Sequence, residues 1–128
     1  MSKRVVTRQA RMRRSIPARW RLSQEGTHTF ISQTGRWGGE TWVATRDRLE
    51  VRSRWLRWTR IHRFTGARLV IDQSYGGGGY GGSVSRFRLW IRCGANQHFL
   101  HCDYSDEEVR KLGLLLAELT GWPLRTEH

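Results

Sequence analysis

From residue 27 onward, apolar and polar positions alternate along the chain. Residues 48–55 show it most simply: Leu49, Val51 and Trp55 fall on one side, and Arg48, Glu50, Arg52 and Arg54 on the other. A period of two marks a strand with one face buried, because successive side chains point to opposite faces of the pleat. The pattern recurs at 85–93, where Phe87, Leu89, Ile91 and Cys93 oppose Arg86, Arg88, Trp90 and Arg92. Shorter β-like runs lie at 27–33, 40–45, 67–74 and 97–102. Thr34-Gly35, Gly38-Gly39, Arg46-Asp47, Thr65-Gly66 and Gly94-Ala95-Asn96 supply turn chemistry between them. Residues 56–63 continue the β-like composition. No turn residue separates Trp55 from Leu56, so one long bent strand stays open as a reading. The run Gly76-Gly77-Gly78-Gly79-Tyr80-Gly81-Gly82 reads as a mobile connector, since glycine loses the most backbone freedom on ordering.

The period changes once, near the C-terminus. Val109, Leu112, Leu115, Leu116 and Leu119 form a stripe at spacings of three and four, which predicts a helix over 106–120. Ser105 and Glu108 form a capping-box pair, and Asp106, Glu107 and Glu108 complement the helix dipole. Gly121 and Pro123 end the helix.

About seven antiparallel strands followed by one helix predict a mainly β, α+β domain. The helix is expected to bury its leucines on the open end or face of a barrel or of two packed sheets. This order of elements, over residues 27–124, resembles the pleckstrin-homology-like (PH-like) fold, particularly its small bacterial versions. The resemblance rests on the strands at 48–55 and 85–93, the hairpin into 97–102, and the helix with Gly121-Trp122-Pro123-Leu124. It implies a binding or scaffold module in a PH-like barrel or sandwich. It implies no lipid-headgroup site, because residues 31–41 offer only Arg36 where phosphoinositide-binding members carry several basic residues. Trp122, too, lies just beyond the helix, whereas many members carry a tryptophan within it.

Charge divides the chain in two. The 128 residues hold 23 Lys+Arg and 11 Asp+Glu, a formal net charge of +12. Residues 1–22 hold Lys3, Arg4, Arg8, Arg11, Arg13, Arg14, Arg19 and Arg21 with no acid. They read as a basic N-terminal arm, extended and solvated when free. Its apolar residues Ile16, Trp20 and Leu22 can pin it to a single β-rich domain over 23–128.

The arginines and tryptophans carry the functional expectation. The anion- and partner-binding set comprises the arm's cations with Trp20, then Arg52, Arg54, Arg57, Trp58, Arg60 and Arg63, then Arg88, Trp90 and Arg92. Trp and Arg are the usual hot spots of protein interfaces, which points to an accessory or scaffold subunit docking on an acidic protein partner or complex. The same mixture suits DNA or RNA through phosphate neutralisation and base stacking. A polybasic arm also suits an anionic membrane surface.

Catalysis, cofactors and metals are not expected. The acids are scattered, no Gly-x-Ser-x-Gly occurs, and the glycine run leads into a strand, not into a phosphate-binding helix. His98, His101 and Cys102 cluster locally, but alternation places the two histidines on opposite faces, and the spacing fits no zinc ligand set. Cys93 and Cys102 are too few for a secreted disulfide framework and do not face each other, so a cytoplasmic location is expected, with membrane association through a partner as a further reading.

Overall fold

Three of the strand pairs fold back through a residue with positive φ at the first position of a two-residue turn: Gly26 (59°), Leu56 (53°) and Gly94 (60°). Such turns match the right-handed twist of the strands they join. They are seen in a computed structural model, which describes residues 17, 19–35, 37–78 and 82–127, with the backbone alone at 75–78 and 82–84.

The first sheet is the meander β1 (Arg21–Glu25), β2 (His28–Thr34), β3 (Gly38–Thr45), β4 (Arg48–Trp55) and β5 (Trp58–Thr65), in that order. The second sheet has the order β8-β7-β6-β9, from β6 (Arg68–Gly78), β7 (Gly82–Cys93), β8 (Asn96–Asp103) and β9 (Leu124–Thr126). Helix α1 (Asp106–Thr120) lies between β8 and β9 in the chain. The mainly β class with one C-terminal helix is therefore as expected. The strands number nine among the described residues, not seven, and they form two sheets with no closed barrel. β1 gives no alternation signal because Leu22 is its only apolar residue, and β9 gives none because it is three residues long. β9 also pairs parallel to β6, so the strands are not all antiparallel.

Leu56 corrects a second expectation. Its positive φ breaks 48–63 into the β4–β5 hairpin, with Trp55 opposite Trp58. The glycine run is corrected too. Residues 79–81 lie outside those described, but β6 and β7 extend into the run as a ladder, pairing Gly76 with Val84, Gly77 with Ser83 and Gly78 with Gly82.

The inner faces form one core. Ile31, Trp42, Leu49 and Val51 come from the first sheet, Leu69, Ile71, Leu89 and Ile91 from the second, and Val109, Leu112, Leu115 and Leu116 from α1. Each such side chain contributes roughly 1.5–3 kcal/mol on burial. Trp20 belongs to this core at 4% exposure, with its ring against Trp42 and edge-on to His101.

The helix ends behave largely as the sequence indicates. Ser105 accepts from the Glu108 N–H, and Gly121 adopts φ 77° and donates to Ala117. The reciprocal half of the capping box does not form. The Ser105 N–H donates to Asp103 instead, and the Glu108 carboxylate accepts from Arg19. Asp47 ties three turns together. Its N–H donates to the Thr120 carbonyl, and its carboxylate accepts from the Gly66 N–H and the Trp122 indole.

Candidate binding groove

Each sheet ends on a strand paired on one side only: β5 in the first and β8 in the second. At one end these strands touch. His98 lies 4.8 Å from His62 and 5.0 Å from Phe64, ring centroid to centroid, and the Cys93 thiol donates to the Thr65 carbonyl. Burial in this corner, with His62 alongside, lowers the His98 pKa. Toward the opposite end the sheets part and leave an open groove of about 1050 Å³.

Register decides which side chains line it. Antiparallel partners share a face, so the pairs Val51–His62, Ser53–Arg60 and Trp55–Trp58 all project to the inner side of the first sheet. At the next inward position, Phe64, that side packs against the core. Toward the turn, Ser53, Trp55, Trp58 and Arg60 form one wall of the groove, and Phe99 to Cys102 of β8 form the other. Glu40 also lines it. Burial pushes its carboxyl above the usual range, against the opposing effect of the Trp42 indole, which donates to it at 2.6 Å.

The mouth of the groove is aromatic. Trp37, Trp55 and Trp58 are 56%, 60% and 74% exposed. The Leu56 N–H donates to the Trp37 carbonyl at 3.0 Å, which fastens the β2–β3 loop to the hairpin tip. Gly38 makes that closeness possible, since a Cβ there would stand 1.9 Å from the Arg54 carbonyl oxygen.

The candidate residues named from the sequence do not form one surface. Lys3, Arg4, Arg8, Arg11, Arg13 and Arg14 lie outside the described residues. Trp20 is buried, because it packs on Trp42, and so presents no surface to a partner. Arg19 is held by Asp103 and Glu108. Arg21 opens β1 on the face opposite Leu22. Arg88 makes a two-pronged bond with Asp72 at 2.8 and 2.7 Å, stacks over Trp90, and shares Asp72 with the Trp90 indole. Arg92 makes a similar fork with Glu127 at 2.7 and 2.9 Å. Arg52 pairs with Glu50, Arg63 stands 3.8 Å from the same carboxylate, and both occupy the outer face with Arg54. Arg57 sits in the turn, leaving Trp58 and Arg60 on the groove.

Sequence reasoning missed Trp37, Trp55 and Phe99. Trp55 shares the face of Leu49 and Val51, as the alternation indicates, but lies beyond the end of the covering sheet. For Trp37 a signal was present: a large ring among Gly35, Gly38 and Gly39 has little beside it to bury against.

A second cluster lies under α1. A β-bulge puts Leu89 opposite His101 but Trp90 opposite Phe99. That extra residue turns His98 and His101 to the same inner face, contrary to strict alternation. Ligand atoms of His101, Asp103 and Glu108 come within 4.8 Å of one another. The Arg19 guanidinium already bonds both carboxylates there. Both cysteines are free, with Cys93 opposite Asn96 and Cys102 opposite Arg88. Among the described residues no helix is long and apolar enough to cross a membrane.

No family model, curated protein or solved structure matches the chain.

Proposed function

We propose that this protein is a non-catalytic binding module that docks an acidic protein partner at the groove mouth. The β4–β5 hairpin carries the proposal: residues 48–65 hold six arginines against one glutamate, and their turn is flanked by exposed Trp55 and Trp58. Covering a half-exposed indole contributes on the order of 2 kcal/mol, and arginine beside it steers and orients an acidic partner. The run of eight strands followed by one helix supports reading the body as a PH-like module, with β9 after the helix as an addition to that order. An accessory or scaffold role follows from that kind of surface.

Affinity capture with the full chain tests this, comparing the native protein with a Trp58→Ala/Arg60→Ala variant in the presence of nuclease. The expected result is a defined set of proteins that survives nuclease and is lost with the variant. Retention of that set by the variant overturns the assignment to the groove.

Nucleic acid is the second reading, favoured by three exposed indoles beside Arg57 and Arg60. It requires binding that weakens steeply with salt, as each neutralised phosphate releases counterions. Membrane attachment would draw on the basic arm.

A further inference from the structure

We propose that the docking segment of the partner is an extended, acidic stretch of polypeptide that adds to β5 as a sixth strand of the first sheet. This deepens the protein-docking reading of the groove and rests on it.

β5 is eight residues long, follows β4 in unbroken register, contains no proline, and is exposed along its length except at Phe64. Across the two-residue turn, Trp55 and Trp58 form the first pair of the ladder. In an antiparallel ladder, alternate residues send their N–H and C=O groups to the partner strand and the rest send them away. Counting from Trp58, the outward set is Thr59, Ile61, Arg63 and Thr65; the Thr65 carbonyl already accepts from the Cys93 thiol, which leaves Thr59, Ile61 and Arg63 open. A regular edge with free backbone groups is a template for another strand, and folds commonly block it with prolines, bulges or a covering element. Among the described residues none of these shields β5 except at its far end, where His98 meets His62 and Phe64 and the Cys93 thiol donates to the Thr65 carbonyl.

Among the described residues, charge protects the rest of this edge, and it selects the occupant. A second copy of this chain would lay Arg57, Arg60 and Arg63 against the same residues of its neighbour. The chain's own residues 1–16 would bring six cations to a hairpin that already carries five net positive charges. Like charges across a strand pair are destabilising, whereas opposite charges contribute. An acidic segment is therefore the strand this edge accepts. Its side chains would alternate between the groove, facing Trp58 and Arg60, and the outer face, beside Ile61 and Arg63. The matching sequence alternates aliphatic and acidic residues.

The test uses the full chain and a synthetic peptide of about ten residues alternating valine and glutamate, long enough to span the strand at about 3.3 Å per residue. Three comparison probes accompany it: the same peptide N-methylated along one edge, a valine–lysine peptide, and an oligothymidylate of about twelve nucleotides. The valine–glutamate peptide is expected to bind and to slow hydrogen exchange at the amides of Thr59, Ile61 and Arg63. N-methylation is expected to weaken it at least about tenfold, and the lysine peptide to show no binding. Binding that ignores N-methylation, or leaves those three amides unprotected, overturns strand addition and leaves the docking reading standing. Binding of the oligonucleotide without the acidic peptide overturns both. Binding of neither overturns strand addition of this acidic pattern. Ile61→Pro, which removes one outward N–H, gives a second readout on the protein side, while the N-methylated peptide does not depend on that variant folding.

Discussion

Trp20 lies against Trp42 with ring centroids 4.7 Å apart and planes tilted by 42°. One indole comes from the foot of the basic segment and the other from the centre of the first sheet. The boundary drawn from charge at residue 22 therefore runs through the hydrophobic core. Trp20→Ala is expected to lower stability by about 3–5 kcal/mol, the usual cost of emptying a buried tryptophan site. Urea unfolding followed by circular dichroism measures it. A deletion of residues 1–22 carries the same penalty, so loss of binding in that deletion would not isolate the arm's cations.

Two glycines separate conformational from steric demand. A Cβ at Gly94 would meet nothing within 4 Å, so Gly94→Ala measures only the positive φ. It is expected to cost about 1 kcal/mol. Gly38→Ala drives a methyl group into the Arg54 carbonyl and is expected to cost more than about 3 kcal/mol, while also loosening Trp37 and Trp55. Unfolding midpoints and tryptophan fluorescence check the pair. Equal costs would mean that the β3–β4 approach is not tight.

Asp103 and Glu108 titrate in opposite senses. A hydrogen bond with Glu108, then the Ser105 N–H and Arg19, holds the Asp103 carboxyl down at about 2. Burial and the neighbouring Asp103 push Glu108 up. The depressed Asp103 contributes stability that is complete above the ordinary carboxylate range near pH 4 and is lost as pH falls toward 2. The raised Glu108 contributes stability that is complete below about pH 4 and is lost as pH rises through its folded value. Urea midpoints at about pH 7, 5 and 3 should therefore hold or rise on the first step and drop on the second. Asp103→Asn should flatten the drop, and Glu108→Gln should remove any rise.

Arg60 and Arg88 are expected to part company. Arg88 is fixed by Asp72 and Trp90, so Arg88→Ala should lower the unfolding midpoint and leave groove binding intact. Arg60 has no acidic partner among the described residues. Arg60→Ala should leave stability within about 0.5 kcal/mol and weaken binding of an acidic peptide. Paired melts and titrations of both variants decide it, and matching losses of binding would contradict the division.

Much of this architecture can be read in the residues. β4 alternates over its central stretch, β7 does so except for Trp90 among the arginines, and α1 carries its own start and stop signals. Other parts depend on information that a single strand does not hold. Leu56 occupies a turn position that glycine fills at 26 and 94, and a leucine gives no notice of that role. Alternation assigns Trp55 to a face, but whether that face is covered depends on how far the opposite sheet extends. Arginines equally spaced in sequence divide by register, so Arg60 and Arg63, three residues apart, look in opposite directions. Arg88 and Arg92 resemble free cations until Asp72 and Glu127 arrive from other strands.

The parallel pairing of β9 with β6 sets Leu69 beside Leu124, with β7, β8 and the helix between them in the chain. On a ribosome, β6 is complete long before its outer neighbour is synthesised. For that interval the nascent second sheet has an open flank, and its last backbone bonds form only when the stretch after the helix has emerged. Contacts of such long range are slow to close and favour capture by chaperones. The three residues of β9 are thus the last of the described strands to be synthesised and the ones that cover the free side of β6.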